Sequence, residues 1–286
     1  MANYYCLQGG LLVFLLIVTW PHEGSADVSF NDNYYITWGY NHAQLLNQGA
    51  KLQLTLDQSS GAGFESKAMF GSGSFTMRLK IPGNNSNGVV STIYLNSKTS
   101  IHDEIDLEFL GHNGPPYKLS TNVFSNNIGG REQQFKLWFD PTKHFHSYTI
   151  LWNDHQIALF VDDVPIRVFK NMPDSGVSYP SQPMHVTGSL WNAEGWASGG
   201  IPTDWSQGPF KAYFQGFDVT GCPLEDANNR QACYASDLWW NGKNYWQLNP
   251  QQQALLDRSR KSYMTYDYCT DKSRYPQPPP ECQYNH

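Results

Sequence analysis

The sequence is poor in charge: Asp, Glu, Lys and Arg make up only 15% of its 286 residues. Acidic residues outnumber basic ones, 25 to 19, for a net charge of −6. Without a basic excess, the chain lacks the footprint of a nucleic-acid binder or of a protein held on an acidic membrane, and neither partner is expected. Low charge combined with 40% hydrophobic residues also excludes a disordered tail and a coiled coil. Cysteine is scarce, five in all, and no two stand at CxxC spacing, which argues against a zinc site. No internal repeat and no cofactor motif is present, so no metal or cofactor is expected.

One short apolar run stands out, Leu11 to Trp20. It is too short to span a bilayer, and the small residues Gly24-Ser25-Ala26 follow it. Residues 1–26 therefore read as a secretory signal, although no Lys or Arg precedes the run, and Asp27 begins the mature chain. Cys6 leaves with the signal. The four remaining cysteines, Cys222, Cys233, Cys269 and Cys282, imply two disulfides in an exported protein, with three possible connectivities. Pairing of near neighbours is the simplest. A single N-glycosylation sequon starts at Asn84.

Aromatics are abundant, with 10 Trp, 17 Tyr and 15 Phe. They suit a cleft lined by flat apolar faces, such as a sugar-binding groove, and equally a β-rich core. From 27 to about 220, apolar and polar residues alternate in short runs broken by Gly, Asn and Pro. Lys51–Leu56, Phe75–Ile81 and Ile157–Val161 each read as a strand with one buried face. Many strands without helices predict an all-β antiparallel sandwich or barrel over 27–220. The tail, 221–286, differs. Asn249-Pro250 is a helix start leading into 251–264, bracketed by the cysteine pairs and followed by a Pro-rich end. It predicts a disulfide-stapled extension packed on the sandwich.

The segment His102-Asp103-Glu104-Ile105-Asp106-Leu107-Glu108-Phe109-Leu110 is the most informative. On a strand, Glu104, Asp106 and Glu108 share one face, while Ile105, Leu107 and Phe109 point into a core. Three like charges in a row are costly, because they repel and burial raises their pKa values. Strand curvature and long side chains would bring two glutamates, with Cα atoms about 13 Å apart on an ideal strand, to opposite sides of one bond. One would attack and the other hold a proton, as in a retaining glycosidase, with Asp106 modulating both. The alternatives are a charged edge strand and a hard-metal site. The first would mix Lys with Glu, and the second needs ligands that wrap an ion instead of fanning apart. His144 and His146 stand at strand spacing, either as a metal pair or as structural residues; no carboxylate partner is evident in the sequence.

The run HDEIDLEFLG, His102–Gly111, closely resembles the catalytic motif of the xyloglucan endotransglucosylase/hydrolases of glycoside hydrolase family 16. Further stretches resemble the same family in order: 60–67, Tyr94-Leu95, Thr121-Asn122-Val123-Phe124, Arg131-Glu132-Gln133, 137–142, Pro165-Ile166-Arg167, 189–193 and 266–271. The resemblance implies a curved antiparallel β-jelly-roll sandwich, concanavalin A-like. It implies Glu104 as nucleophile, Glu108 as general acid/base, Asp106 as helper, and Tyr94 and His102 beside the cleavage point. By position, Ser120, Thr121, Asn122, Gly130, Arg131, Glu132, Gly195, Trp196, Gly200 and Arg274 fall where members bind glucan. Trp191 and Asn192 lie nearby, and Trp191 with Trp196 suggests a stacking platform. The family pairs Cys222–Cys233 and Cys269–Cys282.

The expected activity is cleavage of a β-1,4-glucan, xyloglucan foremost, through a glycosyl-enzyme. Transfer to a second β-glucan chain follows, by a monomer secreted to the plant cell wall. Alternatives are a hetero-transglucanase using cellulose or mixed-linkage β-glucan as donor, a hydrolytic endo-β-glucanase, and a non-catalytic carbohydrate-binding protein. The short stretch 171–183 favours transfer over hydrolysis. The sequence departs from the family in four places. No sequon follows the acid motif, Ser120 stands where Gln is common, Glu194-Gly195 replaces the usual pair before Trp196, and the loop from Trp196 to Trp205 is one residue short.

Overall fold

The computed structural model describes residues 28–224 and 227–285. The expected export signal and Cys6 lie outside them. The alternating runs form strands for the reason the pattern suggests: in β3 (Lys51–Leu56) every second residue, Leu52, Leu54 and Leu56, is buried. Two eight-stranded antiparallel sheets face each other in a jelly roll. One, here the acid sheet, runs β1 (Tyr34–Trp38), β4 (Ala62–Ser66), β13 (His185–Asn192), β6 (Val89–Asn96), β7 (Glu104–Leu110), β8 (Lys118–Phe124), β9 (Gln133–Lys136), β16 (Met264–Asp267). The back sheet runs β12 (Val164–Lys170), β11 (Gln156–Val161), β10 (His146–Trp152), β5 (Phe70–Lys80), β14 (Phe210–Gln215), β3, β2 (Ala43–Leu46), and β15 (Thr220–Pro223) pairs with β5.

The core between the sheets is aliphatic and aromatic. Ile105, Leu107 and Phe109 of β7 are buried there, and Phe109 meets Tyr148 of β10 edge-on with ring centroids 4.5 Å apart. Burying one face of β7 fixes its register, because a slip of one residue would turn the acids into the core.

The C-terminal region adds strands to both sheets. The expected boundary at residue 220 falls inside β15, and β16 becomes the edge strand of the acid sheet beside β9. Helix α1 (Phe30–Asn33) precedes β1, α2 (Glu194–Ala197) follows β13, and α3 (Pro250–Tyr263) lies on β12. The start of α3 is a reciprocal cap: Asn249 Oδ1 accepts from the Gln252 amide at 2.8 Å, and Gln252 Oε1 accepts from the Asn249 amide at 3.1 Å. Leu256 and Ser259 form its buried stripe, and Ser259 Oγ donates to Pro165 O at 3.0 Å. Two disulfides, Cys222–Cys233 and Cys269–Cys282, staple this region. No helix of the described residues is long and apolar enough to cross a membrane.

Candidate active site

Strand β7 sits mid-sheet, so its exposed face becomes the floor of a site. Glu108 lies opposite Thr92 of β6 and Ser120 of β8, Asp106 opposite Tyr94 and Asn122, and Glu104 opposite Asn96 and Phe124. All three acids line one open cavity of about 420 Å³, together with Tyr94, Thr92, Ser189, Trp38 and Trp191. Entry into β7 is set by Asp103, a fully buried carboxylate. Its two oxygens accept from the amides of Asn126 (2.8 Å), Ser181 (2.6 Å) and Gln182 (2.9 Å), tying the start of the strand to two loops.

The acids differ in surroundings. Glu104 is held: Asn96 Nδ2 donates to its Oε2 at 2.7 Å, and His102 Nε2 stands 3.5 Å from the same oxygen. Burial leaves its pKa raised overall, although His102, Asp106 and Asn96 pull it part of the way back. Asp106, 5% exposed, rises well above the usual carboxylate range through burial and the charges of Glu104 and Glu108. Glu104 and Asp106 stand close enough on one face that each biases the other's proton, and the two titrate as a pair. Burial and the charges of Glu104 and Glu132 push Glu108 up to about 7. The two glutamates thus face a single cavity in unlike surroundings, Glu104 with hydrogen-bonding neighbours and Glu108 without them among the described residues.

The other predicted residues divide. Tyr94 lines the cavity, and His102 stands beside Glu104 with its ring edge-on to Phe124. Asn122 is on the acid face, its Oδ1 accepting from the Arg131 amide at 2.9 Å. Glu132 pairs with Arg274 (2.6 Å), whose side chain is half-exposed. Tyr275 OH donates to Gly130 O at 3.0 Å, and Gly130 takes φ +81°, where a Cβ would strike that hydroxyl. Gly195 sits in α2, and the Gly200 amide closes the following turn on Glu194 O at 3.0 Å.

Four expected glucan-binding residues need correction. Thr121 faces the core, because alternation turns it away from the acids; its hydroxyl bonds Gln133 O and Arg167 Nη1. Arg131 is buried and spent. Its Nε donates to Glu281 Oε1 at 2.6 Å and its Nη1 to Val123 O and Ile128 O, so these donors are committed within the protein. Asn192 Oδ1 accepts from the Glu194 amide and Thr203 Oγ1, both at 3.1 Å, and so closes a loop. Ser120 is on the acid face but fully buried, its hydroxyl without a partner among the described residues. Trp191 and Trp196 are both exposed but line separate hollows. Trp196 borders one of about 410 Å³ with Gly111, His112, Lys118 and Gln134. His146 does have an acidic partner, Asp162 at 2.5 Å, and stacks on Phe139 at 3.5 Å. Asn84 is exposed on a turn at φ +63°.

Trp38, Thr92 and Ser189 escaped the sequence reading. Thr92 and Ser189 are joined hydroxyl to hydroxyl at 2.7 Å across β6 and β13. Further along the same face Glu65 binds Tyr35 OH and Lys98 Nζ, the latter at 2.9 Å. These residues lie outside the acid motif and carry no local signal beyond their alternation.

Comparison with known proteins gives a consistent picture. A family model described as glycosyl hydrolases family 16 matches residues 30–207, and one described as the xyloglucan endo-transglycosylase (XET) C-terminus matches residues 234–282. The chain is 50% identical over 286 residues to xyloglucan endotransglucosylase/hydrolase protein 2 of Arabidopsis thaliana, covering 98% of each. It is 51% identical over 259 residues to protein 3 of that plant, covering 89% of each. Among solved structures, the Bacillus licheniformis beta-glucanase superposes with a TM-score of 0.56 at 22% identity, covering 67% of this chain and 92% of that one. The structure titled Apo Crh5 transglycosylase gives 0.57 at 25% identity, covering 70% and 82%.

Proposed function

The chain belongs to glycoside hydrolase family 16, among the xyloglucan endotransglucosylase/hydrolases, and from that premise we propose that it is a retaining endo-transglucosylase of β-1,4-glucans, with xyloglucan the first donor. Glu104 attacks the anomeric carbon while Glu108 passes its proton to the departing glycosidic oxygen. The carbon–oxygen bond to the leaving chain breaks and an ester to Glu104 forms. An acceptor hydroxyl then attacks that carbon, Glu108 takes its proton, and Glu104 is released. Asp106 lends its proton to Glu104 in the resting state and lets charge return as the ester breaks.

One observation carries this reading: Glu104 is steadied by Asn96 and His102, whereas Glu108, in the same cavity, sits near pKa 7. A non-catalytic binding protein has no use for that asymmetry. Transfer must outcompete water, which positioning can achieve, since effective molarities of about 10⁵ M or more are attainable. The half-exposed Trp191 and Arg274 are the groups that would orient donor and acceptor.

Ser120 favours a second reading, a wider donor range. A buried hydroxyl where the family commonly has an amide removes one sugar contact from the floor. Both readings are tested by offering xyloglucan, cellulose and mixed-linkage glucan in turn with one labelled xyloglucan oligosaccharide. Label entering polymer without matching new reducing ends supports transfer, and the donor ranking settles specificity. New reducing ends alone would make the protein a hydrolase. On this reading the enzyme is exported to the cell wall as a monomer, its C-terminal region built into the catalytic sandwich.

A further inference from the structure

The exposed tryptophans fall into two groups. Trp38, Trp191 and Trp196 lie around the acid face. Trp239, 47% exposed, and Trp246, 41% exposed, lie on the other side of the molecule. Trp239 and Tyr245 line a hollow of about 170 Å³ over the outer face of the back sheet, where Ser74, Thr149 and Phe160 form the floor. Residue 148 of β10 packs against the core under β7, so residue 149 points outward, and both sheets separate this hollow from the acids.

The hollow is rigid. Asn153 Nδ2 donates to Trp240 O (2.7 Å) and Tyr245 O (3.1 Å), and Gln156 Nε2 donates to Tyr245 O (3.0 Å). Trp239 meets Tyr245 edge-on at 4.9 Å, and Trp246, next along the chain, stacks on His155 at 4.2 Å. Its polar rim is open. Asn244 and Gln247 make no side-chain hydrogen bond among the described residues, and Asp163 is the only charged group on the lining. Fixed aromatic faces beside unspent amides suit a ligand with flat apolar faces and a belt of hydroxyls. With Asp163 its sole charged group, the lining offers nothing to an anionic ligand.

We propose that this hollow is a second binding site for a neutral β-glucan chain, remote from the catalytic cavity. It rests on the glucan reading above and adds to it: two grips on one polymer raise the local concentration of chain at the acids.

The test compares Trp239→Ala/Tyr245→Ala with its parent, both carrying Glu104→Gln so that polymer survives. Retardation in native gels containing soluble xyloglucan or mixed-linkage glucan reads polymer affinity. In parallel, the double variant with Glu104 intact is assayed for transfer between short oligosaccharides. The expected result is about a tenfold loss of polymer affinity with unchanged short-substrate transfer. Should that variant fail to fold, Asn244→Ala/Gln247→Ala keeps the rings, removes only rim amides, and is expected to lose affinity in the same direction by a smaller factor. Polymer affinity within twofold of the parent in the folded variants, or loss that tracks short-substrate transfer, overturns the second site. Near-parental turnover by Glu104→Gln alone would instead overturn the catalytic reading.

Discussion

Two groups of carboxylates sit within the acid sheet and its edge, and they are treated oppositely. At the C-terminal junction each has an arginine: Glu281 with Arg131 at 2.6 Å, Asp267 with Arg260 at 2.9 Å, Glu132 with Arg274 at 2.6 Å. On β7, Asp106 and Glu108 have no ion-pair partner among the described residues, and Glu104 has only His102, at 3.5 Å. Where charge is neutralised locally it fastens chain segments together. Where it is left to burial and repulsion, protons stay mobile. The same residue type thus serves as rivet or as reagent according to what stands within 4 Å.

The contrast can be broken from either side. The largest effect is expected for Glu104→Gln: loss of transfer on the order of 10⁴-fold or more, with oligosaccharide binding kept, read by initial rates and calorimetry. Normal turnover would remove Glu104 as nucleophile. Next, Arg131→Met is expected to cost roughly 3–5 kcal/mol of folding stability by stranding Glu281, while Arg131→Met/Glu281→Met recovers much of it. Denaturant melts of both decide, and equal losses would mean that the pair is not the rivet. Asp106→Asn is expected to slow transfer about tenfold to a hundredfold and to move the pH profile; an unmoved profile would end its proton-sharing role.

The smallest expected effect is a pH slope in stability. The pKa of Glu108 rises on folding from an ordinary 4.5 to about 7. The folded chain therefore binds that proton more tightly, and this group's contribution falls as pH climbs from about 4.5 to about 7, then levels. Glu108→Gln is expected to flatten that slope, by a few degrees of Tm across the window. Parallel slopes in the two proteins would mean that Glu108 does not hold the raised pKa.

The fold class was legible because period-two alternation is local, as in Lys51–Leu56, and α3 because its cap residues adjoin it. The acid face of β7 was legible for the same reason. What the sequence hid were contacts made across the fold. Nothing near residue 264 says that it will pair with Phe135, and nothing near Asp103 points to the amides of Ser181 and Gln182. Arg131 was misjudged because a matching position does not give a side-chain direction, and the partner that claims it is 150 residues away. Thr121 could have been set aside by alternation alone, since it sits one step out of phase with Asn122.

Strand β16 carries a consequence for biogenesis. A ribosome delivers all three acids long before Met264–Asp267 emerge, and until then β9 presents a bare row of amides and carbonyls to any passing chain. Truncation before residue 264 would leave that border open, so the last few dozen residues complete the sheet as well as lengthen the chain.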